Sequence, residues 1–284
     1  LNADLDLATE PGFYVPYLAG EFDGNGHKIS NLSFNSGCVS NVGLFGHLAI
    51  AGKVTQLGVE NADITGFGCV GGLLGLNMGT VSDSYSSGNV TGHEYVAGIG
   101  VWSVYYATVD TSYASGSVIG NDSVGGLVGY NRGTVSNSYY NYDEILINGE
   151  NIITIGALFG ADFEQWLAND RFLDVNDRLS QENGYYVLND VDDFKQLLAF
   201  GQDGSLKFRL NADLDLAVGQ SFDIPYLAGE FDGNGHKISN LSSNSDCLSN
   251  VGLFGYLAIA GKVTQLGVEK ADITSFGYVG CLLG

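Results

Sequence analysis

Short apolar runs recur at regular intervals in the first half of the chain and predict β-strands rather than helices. Runs of the Val-Gly-Gly-Leu type begin at Val42, Val70, Val96 and Val124. A second short run centred on Val follows each, and a third, centred on Val or Ile, follows the first three. Glycine, asparagine and serine separate the runs. Three strand signals in each period of about 27 residues predict a triangular coil of short strands.

The predicted coils are expected to stack, because one coil of three short strands cannot bury its own apolar side chains. Stacking in register at about 4.8 Å gives each strand two neighbours and places like residues above one another. Parallel strands joined by crossovers favour a right-handed coil. The predicted fold is all-β, a right-handed parallel β-helix (β-solenoid), with about six coils in residues 1–160. The expected columns are Val42, Val70, Val96 and Val124; Ser84, Ser112 and Ser138; and Tyr85, Tyr113 and Tyr139.

A longer repeat contains these coils. Residues 1–75, the first copy, return as residues 210–284, the second copy, and 61 of the 75 aligned positions are identical. Six of the fourteen differences fall between Thr9 and Val15, which predicts a tolerant surface loop. Because a second copy begins within the chain, we expect this sequence to be a window on a longer tandem array.

Residues 161–209 interrupt the strand pattern and predict short helical caps over the ends of the solenoid. The boundary between tandem modules is expected near Ser180 to Gly184. Residues 1–182 would then form one solenoid module with its cap, and residues 183–284 would start a second module. The two predicted helices begin at Asp162, with Phe163, Gln165, Trp166 and Leu167, and at Asp190, with Phe194, Leu197 and Leu198.

The charge of the chain narrows the classes of partner. It carries 32 acidic and 11 basic residues, a formal net charge of −21. Nucleic acids and anionic membranes are bound through Lys and Arg, so neither is expected as a partner. This charge favours solubility, and it suggests that salt or divalent cations reduce self-repulsion. No apolar run reaches membrane-spanning length, and no membrane span is expected in this chain.

The four cysteines do not have the spacing of a zinc or redox site. Cys38 recurs as Cys247, whereas Cys69 and Cys281 have no cysteine at the corresponding position of the other copy. A disulfide between neighbouring coils is left open. The favoured interpretation is that the cysteines are small buried apolar residues.

The two copies share a histidine that follows an Asp-Gly-Asn-Gly turn, His27 near Glu21 and His236 near Glu230. Each histidine could act as a base or a metal ligand. Alternatively, the glycines supply positive φ angles in a tight turn and the imidazole bonds a nearby carboxylate or backbone group. A lone histidine beside a turn favours this second, structural interpretation.

The aspartates of the first copy are weak site candidates. Asp23 and Asn25 alternate as in a calcium loop, but the acidic ligand that ends such a loop is missing, which favours Asx turns. Asp4 and Asp6 alternate with apolar residues and are expected on the solvated face of a strand. We therefore assign no catalytic, cofactor-binding or metal-binding residue, and calcium remains open without a defined site.

Tyrosine is abundant, with 16 residues, and two interpretations apply. An exposed row of aromatic rings could stack on sugars or on another protein. The favoured interpretation is that the tyrosines stack on one another along the solenoid. Glycosylation sequons occur at Asn31, Asn89, Asn121 and Asn240.

The segment from Val124 to Tyr139, which begins Val-Gly-Gly-Leu-Val-Gly and ends Thr-Val-Ser-Asn-Ser-Tyr, resembles the GLUG-motif repeats of microbial surface proteins. The segment from Phe22 to Leu32 is typical of the flank that precedes such repeats. The resemblance implies an extracellular or cell-surface β-helical region of an adhesin-like protein. Some such regions lie beside metallopeptidase domains, but no His-Glu-x-x-His sequence occurs in this chain.

These observations predict a non-enzymatic, extracellular structural or adhesive repeat module, forming a fibre, filament, stalk or adhesin. Its expected partners are other copies of itself or neighbouring modules, with surface glycans or proteins left open. One alternative is a carbohydrate-binding or carbohydrate-active β-helix. Another is a spacer that carries a distant enzyme domain.

Overall fold

Parallel pairing between strands that lie one coil apart organises the fold. The structure is a computed structural model, and it describes residues 1–103, 106–159, 166, 173–217 and 223–284. The chain divides into two units. Unit 1 comprises Leu1–Ile152 and Gly160–Phe172, and unit 2 comprises Ile153–Phe159 and Leu173–Gly284.

The strands of unit 1 are two to eight residues long. Glycine follows several of the strands, as Gly66 follows β7, Gly98 follows β12 and Gly120 follows β15, and it allows the chain to turn at these corners. In chain order they are β1 (Leu5–Asp6), β2 (Glu21–Asp23), β3 (Lys28–Ser30), β4 (Ser33–Asn35), β5 (Phe45–Leu48), β6 (Lys53–Thr55), β7 (Gly58–Thr65), β8 (Gly68–Gly71), β9 (Leu74–Asn77), β10 (Thr80–Ser82), β11 (Tyr85–Thr91), β12 (Glu94–Ala97), β13 (Gly100–Ser103), β14 (Thr108–Asp110), β15 (Tyr113–Ile119), β16 (Asp122–Gly125), β17 (Val128–Asn131), β18 (Thr134–Ser136), β19 (Tyr139–Asn141) and β20 (Leu146–Ile147).

These strands form a parallel β-solenoid, which confirms the predicted fold class. Within the described residues of unit 1, the sheets run in the orders β1-β3-β7-β11-β15-β19, β2-β6-β10-β14-β18, β8-β12-β16 and β5-β9-β13-β17. The first order contains six successive coils, as the sequence predicts. Strand β4 also pairs with β7, and β20 pairs with β15.

A complete coil contains four strands, so the expectation of three strands in a triangle is wrong. The run Val70 to Gly75 forms two strands, β8 and β9, with a Gly-Gly corner between them. A Cβ on Gly72 would lie 1.9 Å from Ser86 Oγ and 2.5 Å from the Gly98 carbonyl oxygen. The glycines therefore let this corner pack directly against the next coil and the facing strand.

The interior columns follow the predicted register. Val42 pairs with Val70, Val70 with Val96 and Val96 with Val124, and all four side chains are buried. A second valine column runs through β6, β10, β14 and β18. Each valine contacts the same residue type in the neighbouring coil, which confirms the coaxial stacking on which the fold prediction depends.

The serine and tyrosine columns are also confirmed. Tyr85 pairs with Tyr113, and Tyr113 pairs with Tyr139. The serine hydroxyls are buried and tie successive coils together, since the Ser112 amide donates to Ser138 Oγ at 3.1 Å. The Ser112 hydroxyl in turn donates to the Asp110 carbonyl oxygen within its own corner. A buried serine therefore satisfies backbone groups that a sharp corner leaves without a sheet partner.

Unit 2 has the same parallel architecture and contains a helix. Its elements are β21 (Ala157–Leu158), the 3-10 helix η1 (Val175–Asp177), β22 (Gln181–Glu182), β23 (Tyr185–Leu188), α1 (Val191–Phe200), β24 (Lys207–Leu210), β25 (Leu214–Asp215), β26 (Glu230–Asp232), β27 (Lys237–Ser239), β28 (Ser242–Val251), β29 (Lys262–Thr264), β30 (Gly267–Glu269) and β31 (Asp272–Val279). Its sheets run β22-β23-β24-β26-β29, β25-β27-β30 and β28-β31, and the β22–β23 pair is antiparallel whereas the other pairs are parallel.

Helix α1 confirms the helix predicted after Asp190. The Asp190 side chain accepts hydrogen bonds from the amides of Asp192 and Asp193, as an N-cap residue does. The apolar face of the helix is buried, including Phe194 and Leu197. Among the described residues no helix has both the length and the apolar character needed to cross a membrane.

The helix predicted after Asp162 lies outside the described residues, apart from one position. Trp166 is helical and buried, and its ring centroid lies 5.4 Å from that of Tyr113. The boundary between residues 182 and 183 stays a prediction.

Gly72 provides a test of the four-stranded coil. Its counterpart in the second copy is Cys281, whose side chain is exposed. We expect Gly72→Ala to lower the free energy of unfolding by about 1–3 kcal/mol, because the new methyl group overlaps Ser86 and the next coil. Urea denaturation followed by circular dichroism measures the change.

The matched control is Cys281→Ala, which places the same side chain at the corresponding position. We expect this exposed change to alter the unfolding free energy by less than about 0.5 kcal/mol. Equal effects of the two substitutions would contradict the close corner packing at Gly72.

Candidate functional site

A polar loop between β2 and β3 carries the histidine candidate of the first copy. The Asp23 carboxylate accepts a hydrogen bond from the Asn25 amide at 2.7 Å, which confirms an Asx turn. Asn25 and Gly26 have positive φ angles of 53° and 77°. Gly24 lies so close to the next coil that a Cβ there would be 2.3 Å from the Gln56 carbonyl oxygen. The sequence Asp-Gly-Asn-Gly therefore builds a tight corner that packs on its neighbour.

His27 contacts the carboxylate of Asp4, which directly precedes β1. Its Nδ1 lies 3.0 Å from Asp4 Oδ1, and the Lys28 amide donates to the same oxygen at 3.2 Å. The expected neighbour Glu21 is not the partner, because it lies on β2, on a different sheet from β1 and β3. The amide of Lys28, followed by the His27 ring, holds the pKa of the exposed Asp4 carboxyl below its usual value.

Two further polar contacts cross between coils beside this pair. Asn31 Nδ2 donates to Asp6 Oδ1 at 2.8 Å, and the pKa of the Asp6 carboxyl is lowered, first by this bond and then by the Ala8 amide. Lys28 Nζ lies 2.8 Å from Glu60 Oε2, and this ion pair raises the pKa of the lysine. Each contact joins a residue to the adjacent coil, so the cluster tethers consecutive coils.

The second copy reproduces these contacts. His236 Nδ1 lies 3.0 Å from Asp213 Oδ1, and Lys237 Nζ lies 3.0 Å from Glu269 Oε2. The Asn240 amide group donates to Asp215 Oδ1 at 2.6 Å. Each histidine is therefore bonded to a nearby carboxylate, as the structural interpretation expects, and the absence of a site role stays a prediction. Asp4 and Asp6 are exposed, as predicted.

The described residues contain no group of three or more His, Cys, Asp or Glu side chains that could hold a metal ion. Calcium binding therefore has no defined site among the described residues. The sequon asparagines lie at the surface, but Asn31 and Asn240 use their side-chain amides to bond Asp6 and Asp215.

The tyrosines divide into buried and exposed groups. Tyr17 and Tyr106 are exposed, with 57% and 77% of their surface accessible. In unit 2 the rings of Tyr226 and Tyr256 stack on one another at 5.4 Å. The favoured interpretation therefore holds for this pair and for the column of Tyr85, Tyr113 and Tyr139. The buried members are Tyr113, Tyr139, Tyr140, Tyr142 and Tyr186.

The expectation of buried cysteines is correct for Cys69 and wrong for Cys38 and Cys281, which are exposed. Burial of Cys69, with a smaller contribution from Glu94, raises the pKa of its thiol to about 11. This thiol is therefore protonated at neutral pH, which disfavours reactivity. The Cys247 side chain lies outside the described residues.

A buried carboxyl group in the second copy is the titratable group that the sequence analysis missed. Asp223 replaces Tyr14 of the first copy, and Ser243 replaces Phe34, whose ring lies 4.9 Å from that of Tyr14. Asp223 and Ser243 are both buried. Burial alone raises the pKa of Asp223 to about 7. The paired replacement of two aromatic residues by two small polar ones was the available sequence signal.

Comparison with known proteins supports the resemblance noted from the sequence. Residues 68–91, which span β8 to β11, match the family model of the GLUG motif. A stretch of 82 residues, 29% of this chain, is 40% identical to halomucin of Haloquadratum walsbyi. The matched stretch covers 1% of the length of that relative. No solved structure matches the chain.

Asp223 is expected to make the free energy of unfolding depend on pH. Because its pKa is raised from an ordinary value of about 3.9 to about 7, its contribution to stability is full below about pH 4 and is lost as the pH rises to about 7. The loss corresponds to roughly 4 kcal/mol in unit 2. We expect Asp223→Asn to remove this decline when unfolding free energies are measured by urea denaturation between pH 4 and pH 7.

The control variant is Asp213→Asn, which removes an exposed carboxyl whose pKa is lowered. The stability from Asp213 is present above about pH 4 and is lost only as the pH falls further, so the decline between pH 4 and pH 7 should remain in this variant. An unchanged slope in Asp223→Asn would count against the buried, protonated carboxyl.

Proposed function

We propose that this chain is a non-enzymatic structural module of an extracellular surface protein, repeated in tandem to form a fibre, stalk or adhesin. The observation that carries the proposal is the register in which strands of successive coils pair. Like residues stack upon like across the coils of unit 1, and the first-copy pairings recur in the second copy. A structure in which each coil contacts only its neighbours can be lengthened without changing any contact already made.

The arrangement of polar side chains supports a structural role. The histidine, lysine and asparagine contacts of the two copies each join adjacent coils and are the same in both copies. A site that served one reaction would need to bring groups together in one place. Here each polar group is paired with a group on the adjacent coil, and the same pairs occur in both copies, which favours mechanical continuity over chemistry.

The comparisons support a surface location. The GLUG motif and a relative that carries the word mucin in its name both agree with an extracellular repeat protein. The high negative charge gives such a protein a well-hydrated surface and keeps neighbouring molecules apart. Adhesion would then depend on many weak contacts presented along the array.

The proposal predicts how size grows with the number of modules. Proteins with one, two and three tandem copies of residues 1–209 should lengthen in proportion to copy number, since each coil adds about 4.8 Å. The radius of gyration should approach a twofold increase from one copy to two, measured by small-angle X-ray scattering and negative-stain electron microscopy.

A compact globular assembly gives a clearly different result. Its radius of gyration grows with about the 0.38 power of chain length, so doubling the chain would give roughly a 1.3-fold increase. Growth of that size would reject the fibre or stalk. Binding of the three-copy protein to a glycan array, without elongation, would favour the carbohydrate-binding alternative.

The high negative net charge predicts that thermal stability depends on salt concentration. Raising NaCl from 0.1 M to 1 M shortens the screening length from about 10 Å to about 3 Å and weakens repulsion among the acidic side chains. We expect the thermal unfolding midpoint of the full chain to rise by several degrees. CaCl2 at matched ionic strength serves as the control, and a larger rise with calcium would reveal a specific cation site. An unchanged midpoint in both salts would contradict the role of self-repulsion.

A further inference from the structure

Three residues lie one above another at a corner of the solenoid in unit 1, and we call them the corner column. Phe67, His93 and Asn121 directly precede β8, β12 and β16, and each follows a glycine. The His93 amide donates to the Phe67 carbonyl oxygen at 2.7 Å, and the Asn121 amide donates to the His93 carbonyl oxygen at 2.9 Å. In all three coils a Cβ on the glycine would lie 2.6 to 2.8 Å from a valine methyl group of the interior column. The corner therefore packs closely on the interior valines, and the three side chains after the glycines are exposed.

The rings of the first two members of the corner column are stacked. The Phe67 and His93 ring centroids lie 5.3 Å apart, and their planes differ by 5°. Successive coils are about 4.8 Å apart, so these parallel rings lie across the solenoid axis. Phe67 covers one face of His93, and the opposite face of His93 is turned toward the coil that carries Asn121. A group attached to the Asn121 side chain would therefore lie over an exposed ring.

Asn121 begins the sequence Asn-Asp-Ser, one of the four glycosylation sequons. In two of the other sequons, the nitrogen that would carry a sugar is already engaged. Asn31 Nδ2 donates to Asp6 Oδ1 at 2.8 Å. Asn240 Nδ2 donates to Asp215 Oδ1 at 2.6 Å. A sugar on either nitrogen would disturb a contact between adjacent coils.

The remaining alternative, Asn89, lies inside β11. This strand pairs with β7 on one side and with β15 on the other. Asn89 Oδ1 also accepts a hydrogen bond from the Ser117 hydroxyl at 2.7 Å. The backbone and the side chain of Asn89 are therefore both held by neighbouring coils.

Asn121 differs from the other three asparagines. It lies outside the strands, its side chain is exposed, and its amide group forms no side-chain hydrogen bond to any residue that the structure describes. Its sequon continues into β16, which is the outermost strand of its sheet within the described ranges. A transferase can therefore reach the Asn121 amide without breaking a contact of the fold.

We propose that Asn121 is a site of N-glycosylation and that the attached sugar packs on the exposed face of His93, as a third layer on the Phe67–His93 stack. Apolar C–H groups on one face of a sugar contact the electron-rich face of an aromatic ring. The inference rests on the extracellular location proposed above, because sugars are attached to sequons of exported proteins.

The modification joins Asn121 Nδ2 to the anomeric carbon of a sugar that is activated by a nucleotide or lipid phosphate. The bond between that carbon and the phosphate oxygen breaks, and the phosphate leaves with the bonding electrons. One amide proton passes to a base of the transferase. The other amide proton stays on the nitrogen, so the product is a secondary amide.

The first experiment measures how well each sequon accepts a sugar in the folded chain. The full chain is incubated with UDP-glucose and a soluble N-glucosyltransferase that recognises Asn-x-Ser/Thr, and peptide mass spectrometry reports the glucose on each asparagine. Peptides containing the four sequons provide the reference, since they have the same residues without the fold. We expect the ratio of folded-chain rate to peptide rate to be at least tenfold higher at Asn121 than at the other three sequons, which become accessible only after local opening.

The matched control is Ser123→Ala, which removes the sequon hydroxyl and keeps Asn121. Glucose on Asn121 should be lost in this variant, and the rates at the other sequons should not change. The outcome is independent of where the natural protein is located. Failure at Asn121 would overturn the glycosylation site and leave the surface function standing, whereas failure of the tandem arrays to elongate would leave the site standing.

The second experiment tests whether the sugar packs on the ring. In NMR spectra of the chain glucosylated at Asn121, sugar protons over the His93 face should shift upfield relative to those of the glucosylated peptide. His93→Ala should return these shifts toward the peptide values. Tyr256→Ala, which removes an exposed ring in unit 2, should leave them unchanged. Both side chains are exposed, so both variants should fold.

The proposal is overturned by either of two results. One is a rate ratio at Asn121 that is no higher than at the other three sequons. The other is a glucosylated chain whose sugar protons have the same shifts as those of the peptide.

Discussion

Hydrogen bonding and apolar burial run in the same direction in this protein, along the stack of coils. Each short strand finds its backbone partners in the coil above and the coil below, and its side chain rests on the equivalent side chain of those coils. A residue that fits one coil must therefore fit its neighbours. Gly88 and Gly116 show how strict this is, since a Cβ on Gly116 would lie 2.0 Å from the Gly88 carbonyl oxygen.

Because the coils stack along one axis, the sequence predicts the features that repeat from coil to coil. A side chain that stacks on its own kind leaves a periodic signal, so the valine, serine and tyrosine columns follow from spacing alone. The cap at Asp190 is equally local, because an N-cap requires only a side-chain oxygen near two amides. The four-stranded coil was missed because the Gly-Gly corner turns within one apolar run, and periodicity cannot distinguish a bent run from a straight one.

The candidate site was harder to predict because its contacts join residues distant in sequence. His27 binds Asp4, which is 23 positions away and directly precedes β1, the strand that pairs with β3. The sequence places Glu21 nearer, but proximity in a solenoid depends on the sheet that a residue occupies. Asp223 presents a different difficulty, since its burial depends on packing around a position that is aromatic in the first copy. The sequence reveals that a carboxyl group replaces an aromatic ring at this position only when the two copies are compared.

The placement of the few basic residues shows how an acidic solenoid holds together. The register can place two carboxylates opposite one another, as it does for Glu94 and Asp122, and such a pair repels along the axis. Lys28, Lys237 and Lys262 each bond a carboxylate 32 residues away, on a neighbouring coil. Lys207 and Arg209 act in the same way between β24 and β26, where they bond Glu230 and Asp232. Exposed ion pairs contribute little to stability individually, so their main effect is to fix register between strands whose short length specifies it weakly.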